Sequence, residues 1–537
     1  MAYYSKQEME SILNDRPEYQ RKLYCKGFLI TDQDSLLLDS YPFYGNWSTQ
    51  QLDRGEKYNL SIIVHKDADC YTYIDEEVIH FIIGHAYNPY SMEYLESDIL
   101  QSLAKALKSG ENEYWKKESE LTGVFCIGYL KNGVLTFSTD CTGMQMVYYG
   151  CCGNHTYITS HSKLVADLCD LKQDDYIVRL VNSRFYKYWG TFLPGDRSPY
   201  SAIKRAIPNF AYKYYFDDGS FSFNRYYPTK TIDEINEEDY ESTIFQIAEK
   251  LENSLKLISL KWPNQKAAVS VTGGRDSTTT LAAARKVYSD LRYFSYISNE
   301  AEKADAEAAH TICESLGLEH IIYQIPDECA LYQDIEIFKR ILECNAGCIG
   351  QNNLNDVKKR IYLDTVYDFD TEVKSWVDEL SRGEAQNKYN TRRFPANPSP
   401  GYYRCMWKVI VNPRLIRESN AIFREYLDTY YDDMVLSYLP WTEYFYWEFS
   451  WSAGEGQFLT SEHKYTGEIT IPYNNRTLLN TMLTVPLEKR LNSQIQKDVI
   501  RLLDKRIEDS RVYVKNLKHT DFWAFAIRTY LRIFSKV

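Results

Sequence analysis

The sequence predicts a two-part mixed fold: an α+β part rich in strands and hairpin turns, then an α/β part built on a parallel sheet. Three observations carry this expectation. Up to about residue 230, short segments alternate apolar with polar residues, the period of half-buried strands. Between about residues 240 and 325, strand-like and helix-like segments take turns, the rhythm of a parallel sheet covered on both faces. The chain has 537 residues, enough for roughly two to four domains.

The elements follow in order. Residues 62–75 (IIVHKDADCYTYID), 78–89 (VIHFIIGHAYNP), 123–140 (GVFCIGYLKNGVLTFSTD), 146–150 (MVYYG) and 154–160 (NHTYITS) read as strands. Asn132-Gly133 and Asp218-Gly219 punctuate the region as hairpin turns. Residues 96–110 (ESDILQSLAKALKSG) place apolar positions at i, i+3, i+4 and i+7, which predicts a helix between two strands. Residues 229–242 (TKTIDEINEEDYES) are polar and acidic and read as a linker. Beyond them come a helix at 240–258, a short buried strand at 266–271, a helix at 278–288 and a strand at 291–298. A helix at 303–317 ending on Gly317 and a strand at 320–325 complete the rhythm. From about Pro400 the chain is aromatic-rich and helical, and its run from Trp441 to Phe449 reads as packing in a core or an interface.

Composition narrows the function. Lys+Arg is 62 and Asp+Glu is 74, a formal charge of −12, which argues against a general nucleic-acid binder. Hydrophobic residues at 44% and charged residues at 25% exclude global disorder. The 47 tyrosines read as packing residues. No apolar run reaches the ~18–20 residues of a membrane span, and the polar, acid-bearing start lacks the features of a secretory signal. A cytoplasmic location is therefore expected. The twelve cysteines show no C-x-x-C pair, and Cys344 and Cys348, one helical turn apart, read as reduced thiols. His310 and His320 read as packing residues, since no histidine spacing suggests a triad or a metal pair.

The sharpest feature is a buried strand that runs through Val271 into Thr272-Gly273-Gly274-Arg275-Asp276-Ser277-Thr278 and straight into an apolar helix. Glycines allow tight turning and close approach to a ligand. Amides at the helix N-terminus point at an anion, helped by the helix dipole. Thr272 and Ser277 add hydroxyls, and Asp276 is placed to hold Mg²⁺ against phosphate oxygens. The pattern is neither G-x-x-x-x-G-K-[ST] nor G-x-G-x-x-G.

The loop resembles the S-G-G-x-D-S pyrophosphate loop of the ATP pyrophosphatases, which split ATP between its α- and β-phosphates. Asp305-x-x-x-Ala309 followed by SLGLEHIIY looks like that superfamily's D-x-x-x-A…LG-x-x-H segment. The stretch 123–150, then Leu193-Pro194-Gly195-Asp196, residues 203–208 and residues 217–228, resembles the glutaminase half of asparagine synthetase. Residues 471–480 (IPYNNRTLLN) look like its V-P-F-x-x-x-x-L segment. The resemblance spans almost the whole chain in order. It implies an Ntn-hydrolase-like αββα domain over 1–230 and an adenine-nucleotide α-hydrolase-like synthetase domain with helical additions over 231–537.

One departure matters for function. Glutamine-dependent members expose a cysteine at the mature N-terminus as nucleophile. Here the chain opens Met1-Ala2-Tyr3-Tyr4 and the nearest cysteine, Cys25, is internal, so glutaminase activity is expected to be absent. The features resemble β-lactam synthetase, carbapenam synthetase and lasso-peptide cyclases, which adenylate a carboxylate and let a substrate amine attack it. The resemblance implies ATP and Mg²⁺ as cofactors. Its partners are a small-molecule or peptide carboxylate and an amine donor, in a natural-product setting, with a second copy of the chain or a biosynthetic partner protein also open. Nucleic acid and membrane are not expected partners.

Residues carry over as follows. The loop from Val271 to Thr278 and Ser295 would bind nucleotide, with Arg275 adding charge near the phosphates. Residues 371–386 occupy the place of the second acidic motif, so Asp378 is the favoured second metal ligand beside Asp276 and Glu379 the next. Trp376 and its neighbours replace the family's glycines there. Lys497, in a K-x-x-[LI]-R pattern, would be the catalytic cation, ahead of Lys489 and Lys464, and Glu343 a base for the amine. The competing reading is a non-catalytic binding or scaffold protein on the same fold.

Overall fold

A computed structural model describes residues 5–34, 36–52, 58–184, 186, 192–347, 354–407, 411–510 and 521–536. The opening Met1-Ala2-Tyr3-Tyr4 and Cys348 lie outside the described residues. The first part holds twelve strands: β1 (Phe28–Thr31), β2 (Trp47–Gln51), β3 (Ser61–His65), β4 (Cys70–Asp75), β5 (Val78–Tyr87), β6 (Thr122–Lys131), β7 (Val134–Thr139), β8 (Tyr148–Cys152), β9 (His155–Thr159), β10 (Ile203–Arg205), β11 (Phe210–Tyr215) and β12 (Ser220–Arg225). They form two six-stranded sheets, β10-β8-β9-β1-β3-β2 and β12-β11-β7-β6-β5-β4, with antiparallel pairing throughout.

Side-chain alternation explains the stacking, because neighbours on a strand face opposite ways. Ile30 on β1 and Val124 and Cys126 on β6 enter the core between the sheets. Their neighbours Phe125 and Ile127 face outward, beneath Leu100, Leu103 and Trp115 of the helices Glu96–Lys108 and Glu111–Glu118. On the other side, Leu29 packs with Met9 and Leu13 of Lys6–Asp15 and with Leu164 and Val165 of Ser162–Cys169. The result is the expected αββα layering.

The second part is built on β13 (Ala267–Ser270), β14 (Arg292–Ile297), β15 (Ile321–Gln324), β16 (Thr371–Val373) and β17 (Glu468–Thr470). These pair in parallel in the order β15-β14-β13-β16-β17. Helix α1 (Tyr240–Lys261) precedes β13, α2 (Arg275–Ala283) links β13 to β14, α3 (Glu300–Leu316) links β14 to β15, and α4 (Gln494–Leu503) packs on α1 and α2. The Asn299 side chain caps α3, and Gly317 ends it in the left-handed region at φ 72°. The chain steps outward from β13 to β14 and β15, then returns on the other side of β13 with β16. That reversal opens a crevice at the carboxyl ends of β13 and β16.

Trp441, Tyr444, Phe445, Trp447 and Phe449 are buried, so the aromatic run is core. Its residues Phe445–Gly456 wind as a π-helix. Among the described residues no helix is long and apolar enough to cross a membrane. The described cysteines are unpaired thiols, and burial pushes that of Cys25 up to about 11.

Among the contacts that join the two parts, one short segment stands out. Arg476, fully buried, donates to Glu118 Oε1 at 2.7 Å, Asn209 Oδ1 at 2.9 Å and the carbonyls of Thr139 at 2.9 Å and Asp140 at 3.0 Å. Asn474 donates to the Gly123 carbonyl at 2.7 Å and Asp140 Oδ1 at 2.9 Å, and Asn475 to the Glu120 carbonyl at 2.7 Å. Nearby, Glu468 faces Lys26 at 3.4 Å and Lys464 at 4.0 Å.

Removing one partner of a buried pair costs about 3–5 kcal/mol. Arg476→Met should lose about that in urea unfolding, and a loss under ~1 kcal/mol would contradict the assignment. Glu468 makes a second test. Burial opposes its ionisation, but Lys26 and Lys464 outweigh burial and hold the carboxyl down at about 2, below the usual 4.5. The stabilisation is therefore present above pH ~4.5 and lost as pH falls toward 2. Glu468→Gln should cost on the order of 3 kcal/mol at pH 7 and less than half that at pH 3. A cost independent of pH would show that the charge is not what stabilises.

Candidate active site

The crevice between β13 and β16 holds a cleft of about 260 Å³. One wall is the turn after β13, with Val271, Thr272, Asp276 and Ser277; the other is the turn after β16, with Lys374, Ser375, Trp376 and Glu379. Ser295 and Tyr296 at the end of β14, with Glu302, Asp305 and Ala306 on α3, close the third side.

The first wall is fixed by its own hydroxyls. Ser277 Oγ donates to the Thr272 carbonyl at 3.0 Å and accepts from the Thr272 amide at 3.1 Å. The Gly274 amide donates to Thr272 Oγ1 at 3.1 Å, and the Gly273 amide to the Asp305 carboxylate. The glycines are not needed for left-handed backbone here, since Gly274 has φ −69°. What counts is space: a Cβ on Gly274 would lie 3.0 Å from Thr272 Oγ1. Thr280 Oγ1 and Ser375 Oγ, 2.7 Å apart, tie the two walls together.

Three acids converge between the walls. The charge of Glu379 bears on Asp276, and that of Asp276 bears on Asp378. Burial, then Glu379, raises Asp276 to about 6. Burial, then Asp276, raises Asp378 well above the carboxylate range. Burial raises Glu379 to about 8. Arg382 offsets the like charges, donating to Asp276 Oδ2 at 2.8 Å and lying 4.0 Å from Glu379. Asp276 Oδ1, Asp378 Oδ2 and Glu379 Oε2 are buried without a partner. Among the described residues no group of three or more His, Cys, Asp or Glu side chains is placed to hold a metal ion, so protein ligands to a cation here would number two at most. The orphaned oxygens fit a hard divalent cation such as Mg²⁺ that keeps several of its waters.

The turn that aims these acids is strained. Val377 is fully buried at φ 78°, a left-handed conformation costly for a β-branched residue. It sits between Trp376, which faces the cleft, and Asp378.

Several sequence expectations need correction. Lys497 does not line the cleft. It lies half-buried on α4 one residue past Gln496, and successive helix positions point about 100° apart; Gln496 takes the inward place and donates to Asp378 Oδ1 at 2.8 Å. Glu343 lies on the helix Ile335–Ala346 away from the cleft, where its charged neighbours are Lys339, Glu336 and Arg340 of its own helix. Arg275 turns away from the cleft to Glu508 at 3.2 Å. Thr278 directs its hydroxyl back to the Gly274 carbonyl at 2.9 Å. Asp378 is buried behind the lining, while Glu379 lines it. Lys464 donates to Gln145 and Lys489 pairs with Glu237 at 2.7 Å, both away from the cleft. His320 lies 2.9 Å from Ser295 Oγ, one step behind the cleft. Sequence reasoning passed over Arg382, Lys374 and the Asp305 contact to the loop. Arg382 was within reach, since it stands three residues after Glu379.

No family model matches the chain. The 7-cyano-7-deazaguanine synthase of Clostridium botulinum (strain 657) is 33% identical over 81 residues, 14% of this chain and 37% of that protein. The synthase of the same name from Clostridium acetobutylicum is 41% identical over 58 residues, 11% of this chain and 26% of that protein. The chain thus spans 37% and 26% of the length of these relatives. Among solved structures, glutamine phosphoribosylpyrophosphate amidotransferase from B. subtilis, complexed with ADP and GMP, aligns over 70% of this chain and 74% of that one, at 8% identity and TM-score 0.23. A structure described as the allosteric regulatory enzyme of purine biosynthesis aligns over 65% and 91%, at 9% identity and TM-score 0.24. The sequence matches support a broad relationship with pyrophosphate-loop synthases and no particular family among them.

The strained turn yields a prediction. Left-handed backbone costs a non-glycine residue roughly 1–2 kcal/mol. Val377→Gly should therefore be more stable than Val377→Ala by about 1 kcal/mol in urea melts, the reverse of the usual order. If the alanine variant is the more stable, the turn stores no such strain.

Proposed function

We propose that the protein is an ATP-dependent, AMP-forming ligase that joins a carboxylate to an amine without hydrolysing glutamine. In this reading residues 1–230 are a glutaminase-like domain without its nucleophile, residues 231–537 are an asparagine-synthetase-like unit, and the enzyme works in the cytoplasm. The observation that carries it is the crevice at the β13/β16 reversal, where a pyrophosphate-type loop on one wall faces converging carboxyls on the other. The synthase names of the matched relatives lend it general support.

The reaction is a substrate carboxylate displacing pyrophosphate from the α-phosphorus of ATP, then an amine displacing AMP from the acyl group with loss of a proton. Phosphate oxygens would take over the loop amides from the acceptors that now hold them, Thr272 Oγ1 and the Asp305 carboxylate. The positive end of α2 would stabilise that charge. Asp276 and Glu379, with Asp378 behind them, would hold Mg²⁺. The ion supplies charge neutralisation for the leaving pyrophosphate. Arg382 would then release Asp276 and remain beside the phosphates as a fixed donor. Ser295 and the carboxyl ends of β13 and β14 would receive the nucleoside. With the loop amides already satisfied internally, a binding or scaffold role on the same fold is the second reading.

Calorimetry decides between the two. Wild type should bind Mg-ATP, and Asp276→Asn should bind about tenfold more weakly, ~1.4 kcal/mol, with magnesium dependence lost. Absence of binding, or equal binding by both proteins, would sink the ligase and leave the scaffold reading.

A further inference from the structure

The electrostatics of the cleft are lopsided. Asp276, Glu302, Asp305 and Glu379 line it, and among the described residues Lys374 is its single lysine or arginine. An anionic acid entering this space meets a carboxyl group on each of its three sides and one ammonium. Lys374 stands at the carboxyl end of β16, where it is 5% exposed. Its Nζ donates to Glu372 Oε1 at 2.6 Å and lies 5.0 Å from the centre of the Trp376 ring. Glu372 is itself buried, and its second oxygen has no partner. The ammonium is therefore held by one carboxylate oxygen, with donor capacity left over.

Trp376 gives this corner its shape. The indole lines the cleft and meets the His463 ring edge-on at 4.9 Å and the Trp451 ring at 6.5 Å. A carboxylate accepting from Lys374 Nζ would sit within hydrogen-bond reach of that atom. Its carbon body would then lie against the indole face, which favours a flat apolar group.

We infer that Lys374 and Trp376 select the acid substrate: Lys374 anchors its carboxylate, and Trp376 receives an aromatic body. The inference rests on the ligase reading and deepens it. Glu372 acts as the positioning residue for the Lys374 ammonium, and Arg382 serves the phosphate end. Lys374 lines the cleft at the carboxylate end, and Arg382 stands behind Asp276 at the other.

The test titrates benzoate and acetate into protein already saturated with magnesium and the non-cleavable α,β-methylene analogue of ATP. Benzoate should bind about tenfold or more tightly than acetate. Lys374→Met should weaken benzoate at least tenfold while leaving affinity for the ATP analogue within about twofold. The double variant Lys374→Met/Glu372→Gln should behave the same way and guards against misfolding from an unpaired buried carboxylate. Trp376→Ala should erase the preference for benzoate over acetate. Normal binding of the ATP analogue with no benzoate binding, with acetate bound as tightly, or with benzoate indifferent to Lys374, overturns this inference and leaves the ligase standing. Failure of wild type to bind the ATP analogue removes the ligase reading and the inference with it.

Discussion

The arrangement depends on one buried guanidinium. Arg476 has no solvent, so each hydrogen bond it makes replaces one it would otherwise make to water. Its partners are the Glu118 carboxylate at the end of the helix Glu111–Glu118, the Asn209 amide before β11, and the carbonyls of Thr139 at the end of β7 and Asp140 just after it. The planar fork accepts little displacement, which makes the contact a geometric constraint as well as an energetic one. Three residues earlier the same segment passes the cleft, where the Tyr473 hydroxyl lies 3.4 Å from the Asp276 carbonyl. The same stretch of backbone thus touches both the αββα layers and the loop helix.

The cleft shows the opposite economy. Asp276, Asp378 and Glu379 are gathered where burial disfavours their charge, and one arginine offsets only part of the repulsion. Such a cluster is poorly explained as a stabilising device, because apolar residues would pack there at lower cost. Clusters of perturbed carboxyls mark sites where charge is to be met by a ligand. The left-handed Val377 belongs to the same pattern, with backbone strain placed where two side chains must be aimed.

Most of this architecture was legible in the sequence, and the failures have identifiable causes. Residues 78–89 and 123–140 do form β5, β6 and β7, but both faces of these strands are buried, one in each layer, so their apolar content and the Asn132-Gly133 turn mark them better than the half-buried alternation expected. The loop from Thr272 to Ser277 stood out because hydroxyl, glycine and acid positions coincide with a strand-to-helix switch. Strands β16 and β17 span three residues each, too few for any period, so the far half of the parallel sheet was invisible. Lys497 was chosen from a linear pattern, and a single step along α4 separates it from Gln496, which reaches the acids. Lys374 was passed over because a lysine at the end of so short a strand carries no signal until the strand's place in the sheet is known.

Arg476 also bears on how the chain is made. Glu118, the Asp140 carbonyl and Asn209 leave the ribosome long before their guanidinium partner does. At ~5–20 residues per second, residue 476 follows residue 209 after roughly tens of seconds. During that interval the nascent αββα layers either keep Glu118 hydrated, with the helix Glu111–Glu118 not fully seated, or bury it as the neutral acid, whose pKa burial raises to about 7 even beside Arg476. The four hydrogen bonds of Arg476 form only when the segment that shapes the cleft arrives.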